Sequence, residues 1–169
     1  MLVDGVFAIA MTLLVLELKV PELAVRRSQH ELAWALAAQT PTFISYLLSF
    51  VVLGMFWYSH NQQYRHYRVI TRGMLVLHFV MLAAAASFPF CAALFGRYPI
   101  NGVSIVVYLA CVLVYAWSSC FTWILAGRSG SMNAELTEAE YRRARRRGLR
   151  SSLIITFFLA MHVVRLLTR

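Results

Sequence analysis

The residues best suited to chemistry in this sequence are two carboxylates near its start. Asp4 and Glu17 stand at opposite ends of a segment that is otherwise almost entirely apolar. At the centre of a bilayer, a charged residue of this kind costs about 2.5–3.5 kcal/mol on insertion scales, and the cost falls toward the interface. If this segment crosses a membrane, we therefore expect both carboxylates to face protein or water rather than lipid.

An apolar stripe lies between the two acids. Ile9, Leu13 and Leu16 are spaced four and three residues apart, which places them on one face of a helix, with Thr12 beside the first pair. A stripe of this kind is usually a packing surface. The alternative interpretation is that it lines a pore, and the spacing alone does not separate the two.

The composition of the chain indicates a membrane protein. Of its 169 residues, 60% are apolar and 14% are charged, and the mean hydropathy is +0.66. An ordinary globular chain is about 45–50% apolar and roughly 25% charged. These values exclude a conventional water-soluble enzyme, a secreted disulfide scaffold and a disordered chain. Because the apolar runs are continuous rather than alternating, we predict an all-α integral membrane protein and not a barrel.

Five apolar segments approach the length of about 20 residues that a membrane-crossing helix needs. We predict a bundle of five transmembrane helices in one domain covering residues 1–169, with spans at about 2–20, 42–59, 73–94, 103–125 and 151–167. A further segment, at about 28–38, opens with a Ser-x-x-Glu capping box and is too short to cross. It is predicted to be a helix at the membrane interface.

The net charge of +9 comes from basic residues that lie between the apolar runs. This placement is typical of cytoplasmic loops rather than of a nucleic-acid surface, and we expect no nucleic-acid partner. The most basic stretch, 126–150, is predicted to be a cytoplasmic loop with a helix from Thr137 to Arg150 on anionic lipid headgroups. The alternative is an ordinary loop that only sets topology. The charge bias predicts a cytoplasmic amino terminus in the cell membrane.

The remaining reactive side chains do not form a recognisable catalytic or metal-binding pattern. Cys91, Cys111 and Cys120 lie inside apolar segments without CxxC spacing. His78 and His162 lie within two different spans, where they either ligate a haem or form hydrogen bonds between helices. No nucleophile, base and orienting group converge in any loop, so we expect neither an enzyme nor a bound cofactor.

Two motifs resemble a known family. The run from Asp4 to Pro21, DGVFAIAMTLLVLELKVP, resembles the first helix of the transmembrane protein 175 family of potassium channels. The second predicted span adds Tyr46-Leu-Leu-Ser-Phe and then Trp57-x-x-His60-Asn61, which is similar to the family's second helix. Leu2 and Val3 stand where the family has Phe and Ser. The family's upstream Arg and its sixth helix are absent, which predicts a truncated chain.

The resemblance implies a homotetramer in which four copies of the first helix line the conduction path. It implies that Ile9 forms the narrowest apolar ring, with Leu13 and Leu16 forming the next rings toward the outside. Thr12 is implied to supply a hydroxyl layer that supports preference for potassium, the permeant ion.

The resemblance also implies roles for residues at the two ends of this helix. Glu17 is expected at the outer mouth, where it either attracts cations or pairs with Lys19 or Arg26. An inner polar network is implied to hold the pore helix in place, through Asp4, Trp57, His60 and Asn61. The prediction is a subunit of a potassium-preferring cation channel; the alternatives are a non-conducting truncated membrane protein, a small secondary transporter or an assembly partner.

Overall fold

The computed structural model describes residues 2–23, 28–133 and 135–168, and it builds them almost entirely from helices. Within these ranges no strand forms, and the one isolated bridge joins Tyr67 to Met132. The predicted all-α class is therefore confirmed. In chain order the elements are α1 (Leu2–Leu13), a 3₁₀ turn (Leu14–Glu17), α2 (Gln29–Ala38), α3 (Thr40–Tyr64), α4 (Arg72–Arg97), α5 (Gly102–Arg128) and α6 (Glu138–Leu167).

Four of these helices, α3 to α6, are long and apolar enough to cross a membrane. The chain is therefore an integral membrane protein. The segment predicted as the first span is shorter as a helix than the sequence suggests, because α1 has 12 residues and is followed by a single 3₁₀ turn that ends at Glu17. Tighter turns of this kind are frequent where α-helices end, and here the non-helical chain leads into Pro21.

Helix starts follow local capping chemistry. The Ser28 hydroxyl accepts the backbone N–H of Glu31 at 3.2 Å, so the helix predicted at about 28–38 is present as α2. At the start of α6, Thr137 and Glu140 form a capping box in both directions, so the helix predicted from Thr137 begins where it was expected. Most of the stretch predicted as a basic loop, 126–150, is thus helical: α5 continues to Arg128, and α6 begins at Glu138.

The four long helices pack in sequence order, and α4 is the central one. It contacts α3, α5 and α1, while α6 packs against α5. The α3–α4 pair is antiparallel, because Ser45 near the start of α3 donates a 2.7 Å hydrogen bond to the Ala92 carbonyl near the end of α4. The core between α1, α3, α4 and α5 is lined by aromatic, aliphatic and small side chains, among them Phe7, Ala10, Leu53, Ala85, Phe88 and Tyr115.

Two connections meet at one end of the bundle. The backbone N–H of Arg68 donates to the Ser131 carbonyl at 2.8 Å, and that of Asn133 donates to the His66 carbonyl at 2.9 Å. Burial at this junction raises the pKa of Tyr67, so its hydroxyl stays neutral. The α3–α4 and α5–α6 connections are therefore joined to each other.

Candidate functional site

The candidate site is built on α1, whose two faces have opposite surroundings. Phe7 and Leu14 are each 1% exposed, whereas Ile9 is 60% exposed and Leu16 is 66% exposed. Leu13 lies on the exposed face as well. The three residues predicted to form apolar rings therefore share a face that the protomer does not use for its own packing.

The buried face of α1 is held by an aromatic cluster at the centre of the bundle. The Phe7 ring meets the ring of Tyr115 edge-on, with centroids 6.2 Å apart. Tyr115 in turn stacks on Phe56 at 3.8 Å and donates its hydroxyl to the Phe56 carbonyl at 2.7 Å. Edge-to-face and stacked aromatic pairs prefer defined orientations, so these contacts determine the rotation of α1 about its own axis.

Thr12 lies on the exposed face, one helical position before Leu13. Its hydroxyl donates to the Ile9 carbonyl within the same helix at 2.9 Å. The bond occupies the hydroxyl hydrogen and leaves the oxygen lone pairs available. Thr12 thus presents an acceptor oxygen next to the backbone carbonyl of Ile9.

A polar contact joins the first turn of α1 to α3. The Trp57 indole N–H donates to Oδ1 of Asp4 at 3.0 Å. Trp57 is a donor only, and a carboxylate is its natural acceptor. This hydrogen bond connects two of the four residues predicted to form the inner polar network.

His60, the third of those residues, makes its hydrogen bond to a residue on α4. Its Nε2 lies 2.5 Å from Nε2 of His78, and the Tyr64 ring packs against both imidazoles with centroids 5.1 and 5.3 Å away. His60 is only 4% exposed, and its Nδ1 makes no hydrogen bond among the described residues. The polar contacts at this end of the bundle therefore include three helices.

A cavity of about 260 Å³ connects these groups. Its wall includes Asp4, His60, Asn61, Tyr64 and His78, together with apolar side chains of α1 and α4. The structure thus brings Asp4, His60 and Asn61 to one cavity, next to the Asp4–Trp57 hydrogen bond. Among the described residues, no three His, Cys, Asp or Glu side chains are placed to hold a metal ion.

Other candidates lie apart from this cavity. Glu17 is exposed at the end of the 3₁₀ turn, and Lys19 is exposed two residues later. Arg26, the other predicted partner of Glu17, lies outside the described residues. The two histidines considered as haem ligands are not paired: His78 meets His60, and Nδ1 of His162 bonds to the Phe158 carbonyl of its own helix at 2.9 Å.

Sequence patterns alone do not identify His78, Tyr64 or Tyr115 as members of this site. The sequence feature that could have identified His78 is its position along α4, at the same level in the bundle as His60. It stands one turn and a half into α4, while His60 stands about one turn before the end of α3, so a short connection between antiparallel helices places them at the same level. No comparable signal identifies Tyr115, whose partner Phe56 is distant in the sequence.

The Tyr115 hydroxyl is expected to contribute to stability. Tyr115→Phe removes one buried hydrogen bond without leaving a cavity, so the free energy of unfolding should fall by about 1 kcal/mol. Equilibrium unfolding of the purified protein in detergent measures this change. Tyr58→Phe is the matched control, because the Tyr58 hydroxyl accepts a bond from Gln62 on the exposed surface. An equal loss in both variants would contradict a stabilising role for the hydrogen bond from Tyr115 to the Phe56 carbonyl.

Comparison with known proteins places the chain in a family. Residues 1–89 match the family model described as endosomal/lysosomal potassium channel TMEM175. A potassium channel of Streptomyces collinus is 31% identical over 147 residues, which is 85% of this chain and 70% of the relative. The human endosomal/lysosomal proton channel TMEM175 is 35% identical over 91 residues, and the chain spans only 18% of its length.

A solved structure has the same fold. The lysosomal potassium-selective channel TMEM175 homolog from Chamaesiphon minutus superposes with a TM-score of 0.83 over 96% of this chain and 84% of that chain, at 24% identity. The relatives are named as channels and not as enzymes. The resemblance inferred from the first and second helices is thus confirmed, and the chain belongs to the TMEM175 family.

Proposed function

We propose that the chain is one subunit of a homotetrameric, potassium-preferring cation channel whose conduction path is lined by α1. The observation that carries the proposal is the exposed apolar face of α1, opposite a face that is docked into the bundle core. Bacterial relatives named as potassium channels support the choice of ion.

The exposed face of α1 suits an assembly around an axis. A single protomer does not enclose a path with one helix, whereas copies related by rotational symmetry bring the same face to a common centre. Gly5 and Ala8 lie on this face beside Ile9, and a Cβ added at Gly5 would meet nothing within 4 Å. On this face the small side chains of Gly5 and Ala8 come first, and the larger side chains begin at Ile9, so the proposed path narrows at Ile9.

An apolar ring controls ion passage through water. Side chains such as Ile9 offer no oxygen to replace an ion's hydration shell, so the ring passes ions only when it is wide enough to stay wet. Selectivity for potassium over sodium is then modest. The Thr12 oxygen beside Ile9 supplies an acceptor next to the constriction, which supports that preference.

The polar residues at the ends of α1 have separate roles in this proposal. The Asp4–Trp57 bond, with His60 and Asn61 around the adjacent cavity, fixes the inner end of the helix against α3 and α4. Glu17 at the outer mouth raises the local cation concentration. The amino terminus is cytoplasmic, the protein resides in the cell membrane, and the arginine-rich start of α6 associates with anionic headgroups.

The constriction is tested by flux through Ile9→Asn. Wild-type protein reconstituted into liposomes should carry potassium flux, and Ile9→Asn should raise it several-fold because a polar ring stays hydrated. Ile44→Asn is the matched control, since Ile44 is 57% exposed but lies on α3. It should leave the flux unchanged. Flux absent from the wild type would favour a non-conducting membrane protein, and flux that saturates with a coupled ion would favour a small secondary transporter.

The hydroxyl layer is tested by ion selectivity. Thr12→Ala removes the acceptor oxygen, so the permeability ratio of potassium to sodium should fall to about half its wild-type value or lower, and approach one. Reversal potentials measure this ratio. Thr12→Ser keeps a hydroxyl and should keep the ratio. Unchanged selectivity in Thr12→Ala, with currents intact, would show that Thr12 does not contribute to ion preference.

The subunit number is tested independently of conduction. Chemical cross-linking of the purified protein in mild detergent should yield a ladder that ends at four chains. A substitution on the exposed face, Leu13→Asp, should reduce the four-chain product by introducing like charges around the axis. A product that ends at one or two chains would contradict the proposed assembly.

A further inference from the structure

The amino-terminal half of α6 carries an arginine surface that the proposed conduction path does not use. Five arginines and an isoleucine line a groove of about 690 Å³ on this helix: Arg142, Arg143, Arg146, Arg147, Arg150 and Ile154. All five arginine side chains are exposed. The groove faces away from α5, because the buried and half-buried residues of α6, such as Ser152 and Gly148, lie on the opposite side of the helix.

The contacts between α5 and α6 determine the depth of this surface. Tyr141 stacks on Trp123 with centroids 5.9 Å apart, and Trp117 donates to the Thr156 hydroxyl at 3.1 Å. The helices are therefore antiparallel, and Arg143 to Arg150 lie beside the last turns of the apolar part of α5. At about 1.5 Å of rise per residue, Arg150 stands roughly 10 Å nearer the bundle centre than Arg143.

Such a position is costly for a cation without a partner. Among the described residues of this face there is one ion pair, between Arg142 Nε and Glu138 Oε1 at 3.5 Å. Glu138 is the first residue of α6, at the end of the helix away from the bundle centre. Arginines at the edge of the hydrocarbon region either extend toward the headgroups or bind an anion there. Several guanidinium groups on one face favour an anion that accepts hydrogen bonds from more than one of them.

The same helix face continues as an apolar surface toward the membrane centre. Ile154, Phe157 and Met161 follow Arg147 and Arg150 at spacings of four, three and four residues, so they lie in one stripe, and all three are exposed. A cationic groove that runs into an apolar stripe matches the two parts of a phospholipid. Free phosphate would use only the cationic part.

We propose that the outward face of α6 binds one anionic phospholipid, with its phosphate in the Arg143–Arg147–Arg150 groove and an acyl chain along Ile154, Phe157 and Met161. The proposal deepens the association with headgroups proposed above by naming the site, the orientation of the lipid and its two sets of contacts. It does not depend on ion conduction, so the binding experiment below gives a result even if no flux is found.

The test is lipid binding to the full chain, measured by native mass spectrometry from detergent. Phosphatidylglycerol should bind at least about tenfold more tightly than phosphatidylcholine. The triple variant R143Q/R147Q/R150Q should lose about tenfold or more of the phosphatidylglycerol affinity, since each of the three guanidinium groups attracts the anionic headgroup. The variant R65Q/R68Q/R72Q is the matched control, because it removes the same charge from exposed arginines outside the groove. It should change the affinity less than twofold.

The apolar half of the site is tested separately. Phe157→Ala should weaken binding of phosphatidylglycerol about threefold or more, and Phe90→Ala should not, although the two rings are 67% and 68% exposed. Glycerol phosphate at millimolar concentration should fail to displace the lipid. If the triple variant does not fold, as judged by circular dichroism, the single variant Arg147→Gln replaces it, with an expected loss of about threefold.

Three results would overturn the proposal. An equal loss in the two triple variants would show a general electrostatic attraction rather than a site. Displacement by glycerol phosphate would show a phosphate site without an acyl contact. A cross-link between copies through Ser151→Cys, together with no preference for phosphatidylglycerol, would show that a second copy covers this face.

Discussion

The docking of one side of α1 into the aromatic centre of the bundle is the contact on which the candidate site depends. Phe7 meets Tyr115, and Tyr115 stacks on Phe56 and bonds to its backbone. Once that side of a helix is buried, the period of 3.6 residues requires the opposite side to face outward. The exposure of Ile9 is therefore a consequence of the burial of Phe7. The 3₁₀ turn that follows α1 keeps the same arrangement, with Leu14 buried and Leu16 exposed.

Polar side chains make the other inter-helix connections, and the membrane explains why they occur in pairs. A polar group in hydrocarbon has no water to satisfy it, so Ser45 bonds to the Ala92 carbonyl and Ser49 to the Tyr108 hydroxyl. Trp57 with Asp4 and His60 with His78 follow the same rule at one end of the bundle. These contacts position helices that apolar packing alone leaves free to slide.

The arginines of α6 are separated from the path proposed for ions. The arginines of α6 lie outward, beyond α5, while α1 lies on the other side of α4. The cation path proposed along α1 and the arginine surface of α6 are compatible in one protomer, because α4 and α5 lie between them. The α3–α4 and α5–α6 connections meet at the same end of the bundle as these arginines.

The sequence by itself determined the features that depend on composition and local order. Continuous apolar runs required membrane helices, the Ser28 and Thr137 capping boxes located two helix starts, and the spacing of Ile9, Leu13 and Leu16 placed them on one face. The tertiary structure decided the partners. It brought His78 rather than an acid to His60, placed Tyr115 against Phe7 and set the α6 arginines beside the apolar end of α5. Local rules cannot supply such pairings, because they depend on how distant helices rotate and slide to fill space and satisfy buried polar groups.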